Sequence, residues 1–360
     1  MADQNLHEFI DSVSTQDRLR VENDLGGGFV RLRVSEAERR QAQQDIRSVE
    51  DAVIEMLRNA RDAGARTVFV ASAKSGAERT VVMVDDACGV PLNMWDTIFE
   101  PRVTSKLDSM LFDDWGVHGR GMALYSIKQN ATLAQVESSV EGGGSAFRVV
   151  FDTSKLTERA DQSTCPELQR SETGEWVLGA SPHNINRSVA EFALANRKEC
   201  TVYMGSMVEI VATLYAFGRQ ALRTYSIMPD DSADDVAPSK RLAMARNADE
   251  LVDLAATLGI SISSRSAYRV INRNVDPCDP FLTTLPRAVA TPVTKKGRAK
   301  DVLKDFRGLK IAVEDIQDFS DDLKKPFARL AARYYLEPDV EPKIRVDSDG
   351  VHVTFPVRKM

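Results

Sequence analysis

The stretch VVMVDDACGVPLNMWDTIFEPRVTSK, residues 81–106, decides how this chain is read. Four apolar residues run directly into two aspartates, Asp85 and Asp86, and a small Ala-Cys-Gly turn follows. Carboxylates at the end of a buried strand are costly unless something hydrogen-bonds them. The reading therefore asks for a bound group. Just upstream, RTVFVASA reads as a second strand, joined to RTVVMVDD by a turn around Ser75 and Gly76. Downstream, ATLAQVESSV and SAFRVVFD read as two more strands with EGGG between them, and GMALYSIKQNA reads as a helix.

Working outward, FVRLRV (29–34) alternates as a strand. Ser35 is expected to cap one long helix running through Ala63, with Gly64 ending it. Together these elements make a helix-on-sheet unit over 29–155. Residues 1–28 are polar and read as a mobile arm or a strap for a partner. Residues 156–228 are a mixed or helical connecting region containing one clear helix, MVEIVATLYAFGRQALRTYSI. Residues 229–239 read as a linker, since MPDDSADDVAPS is rich in proline and aspartate. Residues 240–360 read as a mostly helical C-terminal domain. It closes with the hairpin KIRVDSDGVHVTFPV, turned at Asp349-Gly350.

Composition narrows the function. The chain has 360 residues, 43% of them hydrophobic, and a net charge of −6, so no global basic field points to nucleic acid. Cys88, Cys165, Cys200 and Cys278 lie far apart with no C-x-x-C pair. This argues against a zinc knuckle or a disulfide framework and fits a reducing cytoplasm. The start, MADQNLHEFIDS, lacks the cationic and apolar parts of a signal peptide, and no apolar run approaches the ~20 residues of a membrane helix. A cytoplasmic protein is expected.

Three constellations carry chemistry. In EMLRNARDAGA, Glu55 and Asn59 are four apart and share one helix face. One amide oxygen and one free carboxylate suit a magnesium ion and an activated water; the alternative is an ordinary solvated face. Asp85, at a strand end, suits an exocyclic amine such as adenine N6, and Gly89 lets backbone approach a flat ring; the alternative is a solvated turn. Gly116, Gly119 and Gly121 precede a helix, whose free N–H groups favour phosphate. No G-x-x-x-x-G-K-[ST] and no Rossmann context accompany them.

In order, spacing and residue type, these motifs resemble the GHKL superfamily of ATPases: gyrase-type topoisomerases, heat-shock chaperones, sensor histidine kinases and MutL proteins. E-x-x-x-N-x-x-D-A-G-A resembles the N box in its MutL and chaperone version. DDACG resembles the D-x-G-x-G box. IFEP resembles the F box of histidine kinases, GRGMALYSI their last glycine box, and EGGGSAF the closing strand motif. The likeness covers residues 29–152. It implies an α+β fold of the Bergerat type, a two-layer α/β sandwich in which a mixed sheet is covered by helices.

The resemblance also implies roles. Asn59 would hold Mg²⁺ and through it the phosphates of ATP, and Glu55 would be the general base. Asp85 would bind adenine N6 with help from Ser145, and Gly89 would pack near the base. Gly119 and Gly121 would offer N–H groups to phosphate, Lys106 would reach a phosphate, and Asp62 would shape the helix end. The expected function is a Mg-dependent ATPase whose lid closure gates a conformational or dimerisation switch on a protein or DNA partner. An ATP-dependent homodimer could exchange residues 1–28. Two departures, Ala87 and Ala123 in glycine positions, keep open a non-hydrolysing, ATP-gated binding module. A histidine kinase, with His7 in LHEFIDS as acceptor, is a third reading; Glu55 speaks against it, since kinases usually carry an amide there. His118, among the glycines, reads as a phosphate contact or a surface residue.

In the second half no family is legible, and no MutL likeness. Lys295 and Lys296 in TPVTKKGRAK are candidates for a lysine lent to the γ-phosphate, or a solvated basic loop. Residues 248–273 read as a helix-turn-helix with Arg265, Arg269 and Arg273 on one face, or as a plain helical hairpin.

Overall fold

The computed structural model describes residues 21–26, 28–34, 36–104, 112–113, 116–117, 121–171, 174–222, 232–287, 302–304, 310–334, 336–346 and 351–356. His7, Ser35, Lys106, His118, Gly119, Lys295 and Lys296, and the Asp349-Gly350 turn, lie outside them. The chain divides into two compact units, Met1–Val289 and Ala290–Met360.

The first unit opens with β1 (Val21–Gly26) paired antiparallel to β2 (Phe29–Leu32). Part of the expected arm, 21–26, is thus a strand. Helices α1 (Glu36–Asp45) and α2 (Val49–Asp62) follow. The single long helix expected here is two. Ser48 adopts extended backbone and accepts from Asp51 N, while Asp51 Oδ2 accepts from Ser48 N, a reciprocal capping box. Such a cap stabilises a helix start by about 1 kcal/mol. The break also turns Ile46 into the core.

Next come β3 (Thr67–Ser75), β4 (Glu78–Asp85), the short β5 (Val103–Thr104) on β2, and the pair β6 (Phe112–Asp113) and β7 (Gly116–Val117). Helix α3 (Ala123–Asn130), β8 (Leu133–Val140) and β9 (Gly144–Asp152) complete the expected unit. Then follow the hairpin β10 (Leu168–Arg170) and β11 (Trp176–Leu178), α4 (Ile185–Ala195), β12 (Thr201–Gly205) and α5 (Met207–Leu222). Short α6 (Pro238–Arg241), α7 (Ala248–Ala256), α8 (Ser264–Ile271) and α9 (Phe281–Thr284) end the unit.

The central sheet runs β12-β3-β4-β9-β8, with β12 parallel to β3 and the other pairs antiparallel. It is the mixed sheet with packed helices that the motifs imply. Its helical cover extends further than expected. Val68 to Ala71 and Val81 to Val84 are all at most 1% exposed, so both sheet faces are covered. On one face Val68, Val70, Val81, Met83 and Phe151 meet α2 and α4. On the other Phe69, Ala71, Val82, Val84 and Ala146 meet Ile210 and Leu214 of α5 and Leu251, Ala267 and Val270 of α7 and α8. Phe69 stacks on Tyr203 at 5.1 Å and meets Phe217 edge-on at 5.2 Å. Helices α7 and α8 are therefore a hairpin whose apolar sides wall the sheet, with Arg265 and Arg269 exposed.

This moves the expected boundary. From Ser232 onward the presumed linker is ordered into α6, with Ser239 and Arg241 buried, and the compact unit continues to Val289. Arg241 donates to Val236 O and Thr257 Oγ1, tying that segment to the end of α7. The second unit holds β13 (Val302–Lys304) paired with β14 (Lys310–Ala312), α10 (Val313–Arg333), and the expected hairpin strands β15 (Lys343–Val346) and β16 (Val351–Thr354). Its small core is Phe327, Ala331 and Val340. Among the described residues no helix is long and apolar enough to cross a membrane.

Candidate functional site

A cavity of about 890 Å³ opens between α2, the end of β4, the following loop and the start of α3. Glu55, Asn59, Asp85, Gly89, Gly121 and Ser145, all named from sequence, line it.

Asp85 is the last residue of β4. The strand alternation that turns Val81 and Met83 to this face also brings Asp85 to it. The residue is 3% exposed. Its Oδ1 accepts from Ala87 N at 3.0 Å and from Ser145 N at 3.2 Å; among the described residues Oδ2 has no donor. Burial pushes its pKa up to about 7, with the two backbone N–H groups opposing the rise and Asp86 adding to it. The second aspartate does different work. Asp86 Oδ1 accepts from Arg66 N and Thr67 N, both at 2.8 Å, and fixes the start of β3.

The loop after Asp85 is stitched to the β8–β9 turn. Gly142 N donates to Cys88 O at 2.7 Å, and Val90 N donates to Ser139 Oγ at 2.6 Å. Ser139 Oγ also lies 3.0 Å from Ser145 Oγ. Two glycines are required by this close approach. A Cβ on Gly89 (φ +76°) would stand 2.2 Å from Val140 O, and one on Gly144 (φ +99°) would stand 2.0 Å from Asp85 O. Gly89 thus serves backbone approach to the turn as well as lining the cavity. Ser145 supports Asp85 through its backbone N–H, while its hydroxyl is engaged with Ser139.

Ala87 occupies a glycine position without a left-handed backbone, and its methyl joins the core beneath α2. Ala123 is the first residue of α3, where no such backbone is needed. Neither departure disturbs the local geometry.

At the other end, α2 presents Glu55 and Asn59. Glu55 Oε1 accepts from Arg58 Nη1 at 2.5 Å. Asn59 lines the cavity, and its Nδ2 is buried with no hydrogen-bond partner among the described residues. Asp62 Oδ1 accepts from Arg61 Nε at 2.9 Å, consistent with a place at the helix end. Gly121 (φ +66°) packs on Arg102 and Val103, its O accepting from Arg102 N, just before α3. Among the described residues the first three N–H groups of α3 have no backbone acceptor, and its first residues line the cavity. In IFEP, Ile98 and Phe99 are buried and Glu100 pairs with Arg31.

Sequence reasoning missed Arg58, Ser139 and Gly144. Arg58 sits inside the N-box motif and Gly144 ends the EGGG run, so both were visible as residues without a stated task. Ser139 had no sequence signal.

Residues 46–177 match the family model for histidine kinase-, DNA gyrase B- and HSP90-like ATPases. The chain is 47% identical over 87 residues to the DNA mismatch repair protein MutL of Thermus aquaticus, covering 24% of this chain and 16% of that protein. It is 44% identical over 270 residues to MutL from two strains of Thermus thermophilus, covering 73% of this chain and 45% of theirs. The chain thus spans less than half the length of the relatives it matches. A 270-residue likeness also exceeds the 132 residues of the family match (46 to 177 inclusive). The likeness to MutL therefore reaches beyond the ATP-binding motifs, into sequence that had shown none.

Proposed function

Residues 46–177 belong to the histidine kinase-, DNA gyrase B- and HSP90-like ATPase superfamily, and from that premise we propose that the chain is a Mg-dependent ATPase switch. ATP occupies the cavity, and its hydrolysis gates a conformational or dimerisation change felt by a DNA or protein partner. The observation that carries this is Asp85: a buried carboxylate with one oxygen held by two backbone N–H groups and the other oriented for a ligand donor. Adenine N6 supplies such a donor, and Met83 and Phe147 give the apolar wall a purine ring needs.

The residues present fit magnesium in one way. Among the described residues no cluster of three or more His, Cys, Asp or Glu side chains could hold a metal ion. A magnesium ion held mainly by phosphate and water needs only one or two protein oxygens, and the Asn59 amide, unpartnered at its nitrogen, can supply one. When bound, the ion neutralises phosphate charge. Glu55 takes a proton from water. The water oxygen bonds to the γ-phosphorus as the β–γ bridging P–O bond breaks. ADP leaves with the bonding pair, inorganic phosphate forms, and the proton passes to solvent.

The partner is proposed from the relatives, which are named for DNA mismatch repair. The test is ATP turnover with Mg²⁺ in wild type, Glu55→Ala and Asp85→Asn, with nucleotide binding read in parallel. Expected are turnover in wild type, binding without turnover in Glu55→Ala, and binding weakened about a hundredfold in Asp85→Asn. Wild-type binding without turnover would make the chain an ATP-gated binding module, and absence of binding would end the ATP reading.

A further inference from the structure

One cation in the cavity has no part in the roles above. Arg58 lies three residues after Glu55 and one before Asn59, and it lines the cavity with a side chain only 7% exposed. Its Nη1 donates to Glu55 Oε1 at 2.5 Å, while the Glu55 side chain is 20% exposed. The spacing puts both groups on neighbouring turns of one helix face.

We propose that Arg58 is a positioning residue for hydrolysis, holding the Glu55 carboxylate in the orientation from which it takes the proton of the attacking water. The inference rests on the reading of Glu55 as general base. A glutamate has three side-chain torsions, and proton transfer needs heavy atoms within about 3 Å of one another. An unheld carboxylate spends much of its time elsewhere. A guanidinium is planar, permanently charged and pre-organised, so it fixes one oxygen at little further entropic cost. It does this from within the helix that also carries Asn59, so the base and the proposed phosphate-side ligand move as one body. Removing the cation takes this partner from a largely buried carboxylate and loosens its orientation toward the reaction centre.

The experiment compares steady-state ATP turnover and nucleotide binding in wild type, Glu55→Ala, Arg58→Met, Arg58→Lys and Arg58→Ala, the last with and without added guanidinium chloride at low millimolar concentration. Expected in Arg58→Met is a kcat lowered about tenfold to a hundredfold, with KM and nucleotide affinity within about twofold of wild type. Arg58→Lys should recover part of the loss. Guanidinium should raise turnover of Arg58→Ala and leave Glu55→Ala unchanged, a response that a merely structural residue would not give. The inference fails if Arg58→Met turns over like wild type. It fails equally if the loss lies in KM and affinity, which would make Arg58 a phosphate ligand, or if neither lysine nor guanidinium restores activity. Should wild type itself not turn over ATP, the ATPase reading and this inference fall together. Should Glu55→Ala be inactive and Arg58→Met unimpaired, only this inference falls.

Discussion

The two faces of the central sheet use the same strands for opposite ends. On the face toward α5, α7 and α8, Phe69, Val82, Val84 and Ala146 are fully buried against apolar helices. On the face toward α2, the alternate residues Val81 and Met83 begin in the same way, but the stripe ends in Asp85, and a cavity of about 890 Å³ opens there. One face is filled, and the other stops being filled at one carboxylate. The difference teaches where the stability that supports a site comes from. A buried acid with a free oxygen is unfavourable where it stands, and the closed face behind it holds the strand in place.

The sharpest way to break this contrast is to open the closed face. Phe69→Ala should cost about 3–5 kcal/mol of unfolding free energy, read by denaturant titration, with nucleotide affinity of the remaining folded protein unchanged. A loss under about 1 kcal/mol, or a weakened affinity at equal folded fraction, would show that the faces do not divide the labour as stated.

Asp85→Asn sharpens it from the other side. It should weaken ATP binding about a hundredfold, since a charge-assisted hydrogen bond contributes about 1.5–3 kcal/mol, yet make the ligand-free protein more stable at pH 8. The sign follows from the raised pKa. Between the ordinary carboxylate value of 3.8 and about 7 the folded state binds more protons than the unfolded state, so this group lowers stability as pH rises through that window. Asparagine keeps an acceptor for Ala87 N and Ser145 N and removes the titration. Equal stability of the two proteins at pH 5 and at pH 8 would contradict the assignment.

Ligand binding should carry the same proton in reverse. A donor on the ligand favours the ionised carboxylate, so affinity for adenosine should rise roughly tenfold from pH 6 to pH 8 for a group titrating near 7, and the rise should vanish in Asp85→Asn. A flat profile in wild type would remove Asp85 from the ligand contact. The smallest effect belongs to Ser139→Ala, which loses the acceptor for Val90 N and should cost about 1 kcal/mol. Its affinity for nucleotide should fall a few-fold, because the loop lining the cavity is anchored there. A change in stability with no change in affinity would confine Ser139 to packing.

Much of the site-bearing face was legible. Asp85, Glu55 and Asn59 announced themselves as polar residues where an apolar strand or helix face was otherwise running, and the structure brings them to one cavity. The filled face was harder to read. Its signal was present in Val68-Phe69-Val70-Ala71 and in Val81-Val82-Met83-Val84, since unbroken apolar runs in a sheet require cover on both sides. What the runs could not say was which distant segment supplies the cover. The acidic 229–239 stretch looked like a break between domains because composition reports solvation, while Val236 and Ser239 are buried within it and Arg241 just after it. Strand β12 is only five residues long, and its pairing partner lies far upstream; pairing across such a separation leaves no local trace. The helix break at 46–48 was readable in the S-x-x-D of Ser48 and Asp51, but an apolar period on both sides concealed it.

The parallel strand β12 bears on how much chain the proposed nucleotide site needs. The family match ends at residue 177, before β12 and α5 begin. A fragment cut at that limit keeps Glu55, Asn59, Asp85, Gly121 and Ser145 and loses the cover over Phe69, Val82 and Val84. Such a fragment would present a bare apolar sheet with an open β3 edge to its neighbours, and it should precipitate where a fragment ending at Val289 stays in solution. The smallest working piece of this protein is therefore fixed by the back of the sheet.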